Sequence, residues 1–377
     1  MSETRWQVPL SDVIVDDELV EAALETLRSG WWSMGPRVAE FEQAFAEFCG
    51  AEHAVAVANG TAALHLGLLA LGCGPGDEVV LPSLNFVAAA NAIVHTGAQP
   101  VFCDIRGPDD LNLDPGDLAD VLTPRTKAVL VLHYGGYPCD MEAVSALAER
   151  AGVAVLEDAA HAPGASLNGR ACGTLGAVGC FSFFANKNLP LGEGGMIVTA
   201  DDGLAERLRL LRSHGMTSLT WDRHRGHASS YDVVLPGFNY RLDEVRAAVG
   251  LVQLRRLPDE NAARARVAAR YREALDGADG LRMPFAEARG APAHHLAVVL
   301  LPEGTDRQAV RTALEERGIQ TSVHYPPIHT FSAYREGSRR RLPRTDSVAG
   351  RILTLPLYGR MTDEQVEAVV DGLLQTL

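Results

Sequence analysis

Apolar residues fall in short unbroken runs over the first half of the chain, with helical stretches and polar spacers between them. Residues 54–58 (Ala-Val-Ala-Val-Ala) form one such run, and 61–71, rich in alanine and leucine, predict a helix after it. Residues 78–82 predict the next strand, 88–94 a helix and 100–104 a further strand. A strand over 128–132, a helix over 141–151 and a strand over 153–158 follow. Strands alternating with helices in this way specify βαβ units and a mainly parallel sheet. Because the strand runs are apolar throughout, the sheet is expected to be covered on both faces. The runs 180–184 and 195–199 stand too close together for a helical crossover. One of them is therefore expected to run antiparallel, as a local hairpin-like excursion.

After Tyr240 the texture changes. Residues 243 to about 275 are rich in Ala, Arg, Leu and Val and predict a long helix, with a kink or break at Pro258. Beyond it lie β-like runs over 295–301 and 320–324 and helices over 306–317 and 363–374. This organisation predicts a large α/β domain over 1–255, including the N-terminal segment, and a smaller C-terminal α/β domain over 256–377. The most loop-like span, 213–236, is polar and holds His214, Arg223, His224, Arg225 and His227. It is either a mobile surface loop or an element that closes over an anionic substrate.

A length of 377 residues suits one large domain plus a smaller one, and 47% hydrophobic with 22% charged residues suits a substantial core. The six cysteines, at 49, 73, 103, 139, 172 and 180, show no metal-ligand spacing. They predict reduced, buried thiols and no metal site. The formal charge of −14 argues against a nucleic-acid surface, though a local basic pocket for a small anion remains compatible with it. No apolar run is long enough to span a bilayer, and Met1 to Trp6 lacks the pattern of a signal peptide. A cytoplasmic location is the expectation.

In an open parallel sheet, ligands bind beyond the carboxyl ends of the strands. Three features fall there. The first is Asn59-Gly60-Thr61, a strand-to-helix turn where glycine permits close backbone approach and the helix start with the Thr61 hydroxyl forms a phosphate cradle. The alternative is an ordinary turn with Thr61 as a helix cap. The second is Glu157-Asp158, acidic residues closing a buried strand. An ionised carboxylate there is costly unless paired, and Asp158 is either the partner of a protonated pyridine nitrogen or a helix cap.

The third is Lys187, just past the aromatic run 181–184 and closely followed by the glycine cluster Gly192-Glu193-Gly194-Gly195, with Ser182 offering a hydroxyl from the strand. A desolvated lysine becomes nucleophilic and can form a Schiff base. Alone, a lysine at a strand end is more often a solvated boundary residue than a catalyst. Phosphate cradle, acidic strand end and lysine together are what pyridoxal phosphate needs.

Several further segments share one pattern with these. They are 35–42 (Gly-Pro-Arg-Val-Ala-Glu-Phe-Glu), 81–83 with Phe86-Val87-Ala88 and Asn91, 157–162 (Glu-Asp-Ala-Ala-His-Ala), 237–242 (Gly-Phe-Asn-Tyr-Arg-Leu), Val323-His324-Tyr325 and Leu355-Pro356-Leu357. In this order they resemble the DegT/DnrJ/EryC1/StrS family of sugar aminotransferases, over nearly the whole chain. The resemblance implies the fold-type I, aspartate aminotransferase-like architecture with pyridoxal 5'-phosphate as cofactor. Lys187 would be the catalytic lysine that carries the cofactor and Asp158 the partner of its ring nitrogen. Phe86 would stack on the ring, His161 would lie near the phenolic oxygen, and Gly60, Thr61 and Ser182 would hold the phosphate. Asn239 would reach the phosphate of a neighbouring subunit, implying a homodimer with shared sites. Arg241, His324 and Tyr325 are candidates for the sugar-nucleotide side.

Two positions depart from the family pattern: Asn85 where threonine is usual, and Asn59 where serine is usual. Lys187 itself argues for transamination, because dehydratases that resemble the family carry histidine there. The expected reaction moves an amino group from an amino acid, glutamate by expectation, to a nucleotide-diphosphate-linked keto-deoxysugar. The run 192–196 is more like enzymes that aminate C4 of 4-keto-6-deoxyhexoses than like C3 enzymes, which commonly carry aspartate at the position of Glu193. C3 amination and a non-catalytic cofactor-binding sensor are the alternatives. A nicotinamide-dependent oxidoreductase is disfavoured, because no G-x-G-x-x-G follows any strand.

Overall fold

Six of the seven strands of the central sheet run parallel, and the seventh is inserted antiparallel between two of them. The computed structural model describes residues 6–218, 230–278, 280–335 and 340–377. Two helices, α1 (Asp17–Arg28) and α2 (Pro36–Cys49), precede the first strand, β1 (His53–Val57), which leads into α3 (Gly60–Ala70). Then come β2 (Glu78–Pro82), α4 (Ala88–His95), β3 (Gln99–Cys103) and a small hairpin of β4 (Ile105–Gly107) and β5 (Asp110–Leu113). Next are α5 (Pro115–Val121), β6 (Thr126–Leu132), α6 (Met141–Ala151) and β7 (Ala154–Asp158). A second small hairpin, β8 (Ser166–Leu167) with β9 (Arg170–Ala171), leads to β10 (Val178–Ser182), β11 (Gly195–Thr199) and α7 (Asp202–Arg212).

The strand order is β1-β11-β10-β7-β6-β2-β3. The short gap predicts that one of β10 and β11 runs antiparallel; it is β11, which pairs with both β10 and β1. Consequently the carboxyl ends of β1, β10, β7 and β2 lie along one edge of the sheet. Side chains alternate across it. Val55, Val57, Leu156 and Ile197 pack under α3 and α4, whereas Ala54, Ala56, Phe181 and Met196 pack against α2 on the other face. Continuously apolar strands are thus explained by two buried faces. Helix ends follow local chemistry. Asp140 caps α6 by accepting from Ala143 N–H at 3.2 Å, and Gly152 ends it in the left-handed conformation.

The C-terminal part begins with α8 (Glu244–Leu275), a single 32-residue helix. It continues through Pro258, so of the expected kink or break the break does not occur; α1 and α2 pack along it. It also passes residue 255 without interruption. Strand β12 (Ala297–Leu300), α9 (Arg307–Glu316), α10 (Pro343–Ala349), β13 (Ile352–Leu355) and α11 (Asp363–Leu374) complete the chain. β12 and β13 form a separate antiparallel pair packed on α9, α11 and the end of α8. Val8 from the N-terminal segment joins that core.

The β-like run 320–324 is not a strand. It makes one bridge, Ser322 to Thr354, and then turns away to bring His324 and Tyr325 to the sheet edge. In the polar span 213–236, Met216 bridges Val233 and Thr217 N–H donates to the Asp232 carbonyl at 3.0 Å. Arg223, His224, Arg225 and His227 lie outside the described residues.

Candidate active site

The carboxyl ends of β1, β10, β7, β6 and β2 open on one cavity of about 650 Å³. The turn after β1 supplies its first wall. Asn59 caps α3 by accepting from Ala62 N–H at 2.8 Å, so the cap is Asn59 and not Thr61. Thr61 is left exposed at the helix start, on the cavity wall, where unpaired N–H groups and the helix dipole favour an anion. Gly60 is required by contact: a β-carbon there would stand 2.7 Å from Ser182 Cβ. Gly195 obeys the same logic, since its β-carbon would meet the Asn59 carbonyl oxygen at 2.5 Å. Glycines at 60 and 195 let β10, β11 and the start of α3 close into one cradle, with the Ser182 and Thr61 side chains on its rim.

β7 delivers two adjacent carboxylates to opposite faces of the sheet. Glu157 points away from the cavity into a closed pocket. It accepts from His133 Nε2 at 2.9 Å and from the backbone N–H groups of Gly173, Leu175 and Gly176 at 2.7, 2.6 and 2.5 Å. Asp158 faces the cavity, buried, and accepts from Ala160 N–H at 3.2 Å. Burial raises its pKa, and the Ala160 N–H and the Lys187 charge oppose that rise. A carboxylate so placed is satisfied by a cationic partner on the cavity side.

Lys187 follows β10 and lines the same cavity. Its side chain is only partly exposed, and the dense surroundings lower its pKa to about 8, with the Asp158 charge working against that fall. About a tenth of the amine is therefore uncharged at pH 7, against well under a thousandth at the ordinary lysine value. Phe86, 55% exposed, presents its ring to the cavity 5.7 Å from that of Tyr325. His161 Nδ1 accepts from Gly135 N–H at 3.2 Å, which leaves Nε2–H to donate to the Tyr325 hydroxyl at 2.8 Å. His324 lines the cavity and is tied through Nδ1 to Thr354 Oγ1 at 2.9 Å.

Gly60, Thr61, Phe86, Asp158, His161, Ser182, Lys187, His324 and Tyr325 thus share one cavity. Asn239 and Arg241 do not line it. Asn239 is exposed and bridges Ser213, and Arg241 bridges Val57. Residues that the motifs did not single out also face the cavity, among them His65, Asn186 and Tyr240, and His295 stands 3.4 Å from the Lys187 amine. His65 Nε2, Asn85 Nδ2 and Asn186 Oδ1 are buried in the lining without a hydrogen-bond partner. Unpartnered polar atoms around a preformed cavity point to a polar ligand. An anion cradle, a buried carboxylate wanting a cation, an exposed aromatic face and a lysine of lowered pKa all fit pyridoxal phosphate.

A model of the DegT/DnrJ/EryC1/StrS aminotransferase family matches residues 13–374. The spore coat polysaccharide biosynthesis protein SpsC of Bacillus subtilis (strain 168) is 44% identical over 373 residues, covering 97% of this chain and 96% of SpsC. Among solved structures, the aminotransferase TlmJ from Streptoalloteichus hindustanus superposes with a TM-score of 0.91 at 41% identity, covering 98% of each chain. S. venezuelae DesV, solved in complex with a ketimine intermediate, gives 0.87 at 39% identity, covering 95% of this chain and 94% of DesV.

Proposed function

Because the chain belongs to the DegT/DnrJ/EryC1/StrS aminotransferase family, a family of pyridoxal phosphate-dependent sugar aminotransferases, we propose a specific transfer for it. The amino group passes from glutamate to C4 of a nucleotide-diphosphate-linked 4-keto-6-deoxyhexose. The observation that carries this reading is the convergence of Lys187, Asp158, Gly60, Thr61 and Ser182 on one cavity. The regiochemistry rests on Glu193, which lies on the cavity wall within the run 192–196 that is similar to C4 enzymes.

When bound, pyridoxal phosphate supplies a carbonyl for the migrating nitrogen and a ring that takes up the electron pair released at the adjacent carbon. The protein's part is to bind, orient and move protons. Gly60, Thr61 and Ser182 hold the phosphate at the α3 start, where the dipole and free N–H groups favour negative charge. Asp158 would keep a proton on the ring nitrogen, and the Phe86 face would be the surface for the ring to stack on. Lys187 first serves as the covalent anchor. Its uncharged amine, standing on one face of the cavity, would take a proton from the donor α-carbon and hand it back on that same face. His161, held by Gly135 and Tyr325, would stand beside the ring. His324 and Tyr325, on the cavity wall, serve the sugar-nucleotide end, with Arg241 outside that wall as the third candidate, and Asn239, exposed and off this cavity, reaches the phosphate of a second copy in a homodimer.

Single turnovers with 3-keto and 4-keto deoxysugar nucleotides, with the product amine located by NMR, test the transfer. Amination at C4 alone is expected; exclusive C3 amination overturns the regiochemistry. Purified protein is expected to be yellow and to bleach with glutamate. A Lys187→Ala variant that still turns over would remove Lys187 from its role.

A further inference from the structure

A line of three polar side chains runs to the Lys187 amine, and no step above uses it. His295 Nε2 lies 3.4 Å from Lys187 Nζ, and His295 Nδ1 lies 3.0 Å from Asn188 Oδ1. Asn188 Nδ2 donates to the Ala293 carbonyl and to Asn261 Oδ1, both at 2.8 Å. Asn261 Nδ2 donates to the Pro163 carbonyl at 2.8 Å. His295 and Asn188 are buried, at 5% and 6% exposure.

The donors and acceptors in this line allow one arrangement. Backbone carbonyls only accept, so Pro163 fixes which way Asn261 points, and Ala293 fixes Asn188. Asn188 therefore turns its oxygen to His295, and only a protonated Nδ1 satisfies it. The groups acting on the His295 ring are Lys187, His161, Arg264 and His324, all basic, and burial with these neighbours holds its pKa well below the ordinary histidine value. The ring is neutral. With its one proton on Nδ1, its lone pair on Nε2 meets the lysine.

We infer that His295 is a positioning residue for the Lys187 amine, set by the Asn261–Asn188 line to accept one N–H of Nζ. A lysine amine at the end of four methylenes rotates freely unless something holds it. His295 Nε2 holds it in both protonation states, leaving the lone pair of the uncharged amine free for the cavity. Restricting a reacting group in this way removes orientational freedom before the reaction. The inference rests on the reading of Lys187 as the reacting amine, but concerns the amine itself and not turnover.

The test is made on full-length protein freed of cofactor. Lys187 acetylation by acetic anhydride is followed by peptide mass spectrometry as a function of pH. The wild-type midpoint is expected at about 8. A neutral acceptor stabilises the ammonium more than the amine, so His295→Phe is expected to lower the midpoint by about one pH unit, the loss of one charge-assisted bond. His295→Gln, whose amide oxygen can stand near the Nε2 position, is expected to restore it. Asn188→Ala, one link back, is expected to move it in the same direction as His295→Phe. An unchanged midpoint in His295→Phe overturns the role, and so does a His295→Gln shift as large as that of the phenylalanine variant. If His295→Phe does not fold, an unchanged midpoint in Asn188→Ala overturns it instead. Turnover by Lys187→Ala refutes the reading of the site and leaves the midpoints to be judged by themselves.

Discussion

Ser182 Cβ occupies the place that a β-carbon on residue 60 would need, with only 2.7 Å between them. The start of α3 and the end of β10 are therefore in contact through a hydrogen atom, and the cradle has no slack. Gly60→Ala is expected to push the two apart and weaken pyridoxal phosphate binding by about tenfold or more, or about 1.4 kcal/mol. Ser182→Ala keeps the packing and removes one hydroxyl, for a smaller loss of about 0.5–1.5 kcal/mol. Fluorescence titration of the cofactor-free protein measures both. Equal losses in the two variants would mean that the contact does not shape the cradle.

Asp158 and Lys187 pull each other's ionisation in the direction opposite to burial. Burial lowers the lysine pKa, and the Asp158 charge raises it, with about 8 as the outcome. Only the uncharged amine attacks a carbonyl. Capture of pyridoxal phosphate by cofactor-free protein is thus slow below pH 8, rises as the ammonium loses its proton, and levels off above it. Asp158→Asn removes the opposing charge, so the midpoint is expected to fall below 8 while turnover drops through loss of the ring-nitrogen partner. Stopped-flow absorbance across pH 6–10 gives the midpoint. A value near 10.5 in wild type, the ordinary lysine value, would contradict the burial of the amine.

Glu157, one residue from Asp158, has a structural part. Three backbone N–H groups and His133 surround a carboxylate with no exposure. Glu157→Gln turns an amide N–H₂ toward groups that only donate and removes the charge they stabilise. A loss of about 3–5 kcal/mol is expected, the range for breaking a buried charged network. Urea unfolding monitored by circular dichroism checks the loss. Unchanged stability would mean that Glu157 is not the hub it forms in the fold.

The strands and helices between residues 53 and 200 are legible because each strand is apolar on both faces and each crossover has helical composition. Spacing alone makes legible that one of β10 and β11 runs antiparallel; the strand pairing identifies it as β11. Residues 320–324 mislead because their composition is β-like while β13 already pairs with β12, leaving them one bridge and a turn toward the cavity. Within Glu157-Asp158, composition does not say which carboxylate meets the ligand; strand alternation decides it once the sheet's faces are known. His295 is illegible for a similar reason. It sits beside His294, which has a φ of 49° and turns to Tyr137 instead, and only the approach of Lys187 and Asn188, in the segment after β10, separates their environments. Asn59 takes the cap that the alternative reading gives to Thr61: its side chain accepts from Ala62 N–H, and the helix starts at Gly60, two residues before a Thr61 cap would start it.

Pro258 is the clearest conflict between local preference and the fold. It lies in the interior of α8, cannot donate to the carbonyl one turn before it, and still leaves 32 residues in one helix. Packing of α1 and α2 along that helix overrides the local cost. Pro258 is itself exposed, so replacing it removes no buried contact of its own. Pro258→Ala is therefore expected to stabilise the protein by about 1–3 kcal/mol, by restoring a helical hydrogen bond and relieving the ring's clash. The rise should appear in the urea midpoint with an unchanged slope. A fall in stability would show that the freed Leu254 carbonyl, or a bend at that turn, is needed by the packing of α8 against its neighbours.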